Sequence, residues 1–251
     1  MKRVLFALTM LAMILSFQDI QSQDLQQIMS QITDPTKAAE FESDYKFDAY
    51  IQMEMTNFDR DGGESDKILY DSYMTKGGGT YAMIFTQEGT PTSIIFDTEN
   101  DALLLLSESG GEKAGMVMAV NPEAISELGG GSEQESGADE YESLKTGKTK
   151  SILGYSCDEY LIAEGSGEIR VWTSEKLGKE VGQEMLNNQQ AFGGAFSHSV
   201  FTNGMVMEYN FLDKDNGEKM VLKVTKIDMN GSHTISTSEY NVMSLGQMQQ
   251  F

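Results

Sequence analysis

From Tyr45 to Met55 the chain alternates without a break: Tyr45, Phe47, Ala49, Ile51, Met53 and Met55 fall on one side, and Lys46, Asp48, Tyr50, Gln52 and Glu54 on the other. A period of two is the mark of an extended strand with one apolar face, because successive side chains point to opposite sides of a sheet. Continued to Phe58, a single strand here would reach about 45 Å, longer than most. The pattern therefore predicts a large, curved sheet.

Shorter strand-like pieces follow at Lys67–Thr75, Tyr81–Thr86, Ser93–Asp97, Ala102–Ser107 and Met116–Val120. Gly77-Gly78-Gly79, Glu88-Gly89-Thr90-Pro91, Glu99-Asn100 and Gly110-Gly111 separate them, and such residues make turns. These separators are too short for crossover helices, so the order is an antiparallel meander and a parallel α/β fold is disfavoured. The pattern resumes at Thr149–Leu153, Cys157–Ala163, Glu168–Ser174, Met205–Leu212, Lys219–Asn230 and His233–Ser236. Two helices are predicted: Asp24–Ile32, with Leu25, Ile28, Met29 and Ile32 on one face, and Glu175–Gln190, with Leu177, Val181 and Met185. Between Asn121 and Gly147 seven acidic residues, one Lys and five Gly read as a flexible, solvated segment. Residues 238–251 carry no decisive pattern, and no internal repeat is evident.

Lys2 and Arg3 precede an apolar run from Val4 to Phe17, after which polar residues lead to Ser22. This is the layout of a secretory signal peptide, and the run falls short of the roughly 20 residues of a membrane span. The sequence thus divides into a signal peptide, 1–22, and a single β-rich domain, 23–251, exported without an integral span. No Cys near the cleavage region offers a lipid attachment point. The chain carries 39 acidic and 18 basic residues, a net charge of −21, which argues against nucleic acid as a partner.

Catalytic signatures are missing. Gly147-Lys148-Thr149 ends like a phosphate loop, but Glu142 stands where the first Gly of that motif belongs. His198 and His233 have no nucleophile-elbow Ser, and read as surface or loop residues. Asp59-Arg60-Asp61-Gly62 and Asp213–Glu218 lack the Gly and Glu spacing of a calcium loop and read as acidic hairpin turns. The one thiol, Cys157, sits among apolar neighbours and reads as buried. The expectation is a non-enzyme with no metal and no cofactor. The 17 Met residues, many in predicted strands, suit either an irregular core or an adaptable apolar cavity.

The stretch Thr146-Gly147-Lys148-Thr149-Lys150-Ser151-Ile152-Leu153-Gly154-Tyr155-Ser156-Cys157-Asp158-Glu159-Tyr160, followed by Glu168-Ile169-Arg170-Val171-Trp172-Thr173, resembles the exported bacterial family called domain of unknown function 4412. The resemblance implies a Gram-negative, Bacteroidota-type envelope source and a fold similar to the lipoprotein carriers LolA and LolB: mainly β with a few helices, an antiparallel, strongly curved sheet or unclosed β-barrel. Gly154, Tyr155, Cys157 and Trp172 are its structural motif residues. The functional expectation is a periplasmic or secreted soluble protein that binds a lipid-like or other apolar small molecule. The proposed lining is Phe47, Ile51, Met53, Met55, Trp172, Met205, Met207 and Phe211. The alternative expectation is an envelope interaction or scaffold protein without a small-molecule ligand, whose protein partner the sequence does not name.

Overall fold

The computed structural model describes residues 33–34, 37–75, 80–87, 90–121, 144–164, 167–181 and 204–244. The strands are β1 (Thr33–Asp34), β2 (Asp44–Phe47), β3 (Ala49–Phe58), β4 (Glu64–Met74), β5 (Thr80–Gln87), β6 (Thr90–Asp97), β7 (Ala102–Ser109), β8 (Glu112–Val120), β9 (Leu144–Ile152), β10 (Tyr155–Glu164) and β11 (Gly167–Ser174). After helix α1 (Glu175–Val181) come β12 (Met205–Asp213), β13 (Lys219–Asp228), β14 (His233–Ser236) and β15 (Asn241–Ser244).

Two antiparallel meanders, β3 to β8 and β9 to β13, make one sheet because β13 returns to pair with β3, setting Leu222 opposite Met55 and Val224 opposite Met53. The sheet runs from β1 beside β8 at one end to β9 at the other, and among the described residues these ends do not pair. This is the expected fold class, a mainly antiparallel, unclosed sheet. One pairing is parallel: β15 lies along β8, in the stretch that carried no sequence pattern.

Apolar side chains are buried on both sides of β7 and β8. On one side Leu103, Met116 and Met118 join Tyr81, Phe96, Met74 and Ile51. On the other, Leu104, Leu106 and Val117 meet Tyr45 and Phe47, with Ile235 and Tyr240 against them. That second side is covered by the ribbon that β2 forms with β14. Each fully buried Leu contributes about 1.5–3 kcal/mol of transfer free energy. A third cluster, centred on Tyr160, Ile162, Ile169, Val171 and Tyr209, fills the other meander and takes in Met53, Met55 and Phe211.

The expected single strand from Tyr45 to Phe58 is in fact two. It breaks at Asp48, whose backbone N–H donates to the Met74 carbonyl at 2.9 Å. Before the break the chain pairs with β14, and after it with β4 and β13. Phe47 and Ala49 share a parity in sequence but pack in different clusters, on different sides of the sheet. Alternation records that residues are extended and half-buried, and is silent on which partner they pair with. Strand β9 starts at Leu144, inside the segment read as flexible and solvated. The predicted helix at Asp24–Ile32, residues 182–190 of the second helix, residues 122–143 and His198 lie outside the described residues.

Candidate functional site

The motif stretch folds as the β9–β10 hairpin. Ile152 pairs with Tyr155, leaving Leu153 and Gly154 as a two-residue turn. Both have positive φ, 51° and 84°, which is the primed turn that follows the natural twist of two strands. Gly adopts that backbone freely, whereas a Leu there costs about 1–2 kcal/mol because its β-carbon crowds the carbonyl. Leu153 is nevertheless 50% exposed, so a strained backbone presents an apolar side chain to solvent.

Leu153 is among the residues that line an open depression of about 780 Å³. Its described lining is Tyr50, Leu153, Tyr155, Lys226, Ile227, Asp228, Met229, Asn230 and His233. Strands β11 and β12 lie between β10 and β13 in the sheet order, yet residues from the β9–β10 turn and the end of β13 line the same hollow. The sheet therefore curls at this end. Helix α1 stands there too, held by Ser174 Oγ, which accepts the Leu177 N–H at 3.3 Å, and by burial of Leu177.

One wall is apolar. Tyr155, Ile227 and Met229 are half-buried and pack against the cluster that holds Ile51, Cys157, Met205 and Met207, so they separate the hollow from the core. The opposite wall is polar and aromatic. The rings of Tyr50, Tyr73 and His233 have centroids 5.1 to 5.4 Å apart. Tyr50 donates its hydroxyl to Asp71 at 2.9 Å and Tyr155 donates to Glu180 at 2.8 Å. Burial, and then the carboxylate acceptors, push both phenols above their usual range, so both remain neutral donors at physiological pH. His233 Nε2 is buried and makes no hydrogen bond among the described residues, with Asp228 Oδ2 at 3.7 Å.

The proposed lining residues take several positions. None of them is in the described lining of the hollow; Ile51, Met205 and Met207 are fully buried in the core. Met53, Met55 and Phe211 are half-buried along the neighbouring cluster. Phe47 is on the other side of the sheet. Trp172 packs half-buried beside the core, with Lys150 Nζ 4.2 Å from its ring centroid. Of the motif residues, Gly154 makes the turn, Tyr155 lines the hollow and Cys157 is fully buried. Sequence reasoning missed Tyr50, Lys226, Asp228 and the role of His233. The one local signal was a Leu where a two-residue hairpin turn favours Asn or Gly.

Burial raises the Cys157 thiol above its ordinary pKa, and its Sγ faces the Tyr155 carbonyl at 3.5 Å. Asp59 accepts the N–H groups of Asp61 and Gly63, and Asp213 that of Asp215, so these acids hold their own turns. Among the described residues no group of three or more His, Cys, Asp or Glu could hold a metal ion. No helix among them is long and apolar enough to cross a membrane.

A family model described as Domain of unknown function (DUF4412) matches residues 47–244, a span that contains every lining residue of the hollow. No curated protein sequence matches. Among solved structures the chain is similar to PNGF-II at 13% identity and a TM-score of 0.37, covering 78% of this chain but 31% of that one. An uncharacterized conserved protein from Thermus thermophilus is similar at 7% identity and a TM-score of 0.37, covering 88% of this chain and 99% of that one. A domain described as an outer membrane lipoprotein-sorting protein from Vibrio parahaemolyticus is similar at 11% identity and a TM-score of 0.24, covering 81% and 89%.

Proposed function

The chain belongs to the family of domain of unknown function 4412, and we propose that it is an exported, non-catalytic binding protein that takes a lipid-like, apolar ligand at the curled end of its sheet. The observation that carries this reading is Leu153, an exposed apolar side chain on a strained turn that lines a hollow. Strain retained at an exposed residue is costly to keep, and such positions cluster where ligands bind. The volume falls in the range of about 300–1,000 Å³ usual for small-molecule sites.

In this reading the polar part of the ligand rests against Tyr50, Lys226, Asp228 and His233. The apolar part passes Leu153, Tyr155, Ile227 and Met229 toward Ile51, Met205 and Met207. Flexible Met side chains would open to admit chains of differing length. Periplasmic placement is part of the proposal and rests on the amino-terminal pattern.

Native mass spectrometry of gently extracted protein, paired with titration of a fluorescent fatty acid, tests the reading. Co-purifying lipid, or saturable one-to-one uptake, supports it. A clean apo mass together with no uptake overturns it.

A further inference from the structure

We infer that the hollow reads a neutral, hydroxyl-rich head, a hexose ring laid across Lys226 and Asp228; this rests on the binding reading above and names the chemistry of the ligand's polar end. The polar groups concerned stand open to solvent: Lys226, Asp228 and Asn230 are exposed residues of the lining. Lys226 and Asp228 lie two residues apart on one face of β13, paired with Gln52 and Tyr50 of β3. Their α-carbons are therefore about 6.6–6.8 Å apart, a separation that one sugar ring with its hydroxyls spans.

The two charges have opposite sign, and that decides the head. An anionic head gains Lys226 but meets Asp228, in a chain of net charge −21, while a cationic head gains Asp228 but meets Lys226. A hydroxyl both donates and accepts, so a polyol donates to Asp228 and accepts from Lys226 with no like charge opposed. Each such hydrogen bond has one ionised partner, which makes it roughly twice as strong as a neutral one. Both groups have capacity to spare. Lys226 makes no ion pair among the described residues. Asp228 Oδ1 accepts the Asn230 N–H at 3.1 Å, which fixes the carboxylate, yet the side chain remains 50% exposed. A carboxylate accepts up to about four hydrogen bonds.

The aromatic part of the lining suits the same head. Tyr50 and Tyr155 are each held by the hydroxyl, donated to Asp71 and to Glu180. Rings fixed in this way present flat apolar bodies with electron-rich faces. The C–H face of a sugar packs against such a ring while its hydroxyls reach the polar groups beside it. The depression is open, so a head of more than one ring extends into solvent.

The test displaces the neutral probe N-phenyl-1-naphthylamine from the full chain, in about 0.15 M salt to screen distant charge. The competitors share an octyl chain and are kept below their micelle concentrations: octyl β-D-glucoside, octyl β-D-galactoside, octanol, octylamine, octanoate and octyl tetraethylene glycol ether. The ether has a bulky neutral head rich in acceptors and poor in donors. At least one glycoside is expected to bind about tenfold tighter than every other competitor. Lys226→Met is expected to erase that advantage and leave octanol unchanged, whereas Lys219→Met, the same charge change at the far end of β13, should preserve it. The methyl glycoside of the preferred sugar, titrated by calorimetry, separates a glycolipid from a free glycan. Binding far weaker than that of the octyl compound supports the glycolipid; equal binding supports the sugar head and overturns the apolar reading. Glycosides no better than the ether, an ionic head that matches them, an advantage that survives Lys226→Met, or one lost equally in Lys219→Met overturns the inference and leaves apolar binding standing. Failure of the probe and all competitors to bind overturns both.

Discussion

Leu153 holds a backbone conformation that suits Asn or Gly, and its side chain gains little from burial. Leu153→Asn is therefore predicted to raise stability by about 1 kcal/mol through relief of the turn, and to weaken uptake of an apolar probe. Urea denaturation and probe titration on the same preparation read the two effects, and a variant with unchanged stability or tighter binding would contradict this account. Cys157 is the opposite kind of residue, fully buried, with its thiol pushed up by that burial. Alkylation by iodoacetamide at about pH 7.5 should be far slower in native protein than in urea, because a buried thiol is inert. Cys157→Ala should cost about 1 kcal/mol and leave binding intact. Fast native labelling, or lost binding in a folded variant, would assign the thiol a role it lacks here. At this scale the sequence disclosed Cys157 well, because apolar flanks imply burial. It did not disclose Asp228 and His233, since the hollow they line is shared with Tyr50, Leu153 and Tyr155, distant in the chain.

Strand β9 ends the sheet, and its outer row of backbone groups has no strand beside it among the described residues. Lys145, Lys148 and Lys150, with a kink at Gly147 (φ 80°) and a register shift against β10, make it a poor template for another chain. The same lysines anchor a charged lattice with β10 to β12. Glu159, buried to 4% exposure, accepts a hydrogen bond from Thr146 Oγ1 at 2.7 Å and faces Lys148 at 3.1 Å and Arg170 at 3.5 Å. The Thr146 hydrogen bond, ahead of the two cations, holds its carboxyl below the usual range. At Glu208 burial alone would raise the carboxyl, but the hydrogen bonds from Lys150 and Asn210 outweigh it and the net shift is downward. Because these folded-state values lie below the unfolded ones, their contribution is complete above about pH 4.3 and is lost as pH falls through the folded values. Urea midpoints should therefore drop steeply below about pH 4. Glu159→Gln should cost about 1–2 kcal/mol at pH 7 and flatten that slope. A pH profile parallel to the parent would contradict this. Elements were the most legible level of the sequence, as alternation and Gly-rich turns are local signals. The break at Asp48 and the parallel β15 were not, because pairing partners are chosen by the rest of the sheet.

For the molecule as a whole, the β3–β13 seam converts two meanders into one curved sheet, and curvature brings the motif turn to the end of β13. Burial on both sides of β7 and β8 makes that region the mechanical base: Leu103→Ala should cost about 2–5 kcal/mol, read by thermal or urea unfolding, and a loss under about 1 kcal/mol would mean the cluster is looser than described. Periodicity and turn residues predicted a curved antiparallel sheet and the family resemblance implied that it is unclosed, but its hollow depends on tertiary curvature, which no window of residues encodes. The most direct test of the central claim is photocrosslinking with a diazirine-bearing long-chain alcohol, followed by peptide mapping of the adducts. The account predicts saturable labelling concentrated at Leu153–Tyr155 and Lys226–His233, reduced by excess unlabelled alcohol. Adducts found only elsewhere on the chain, or labelling that competitor does not reduce, would contradict it.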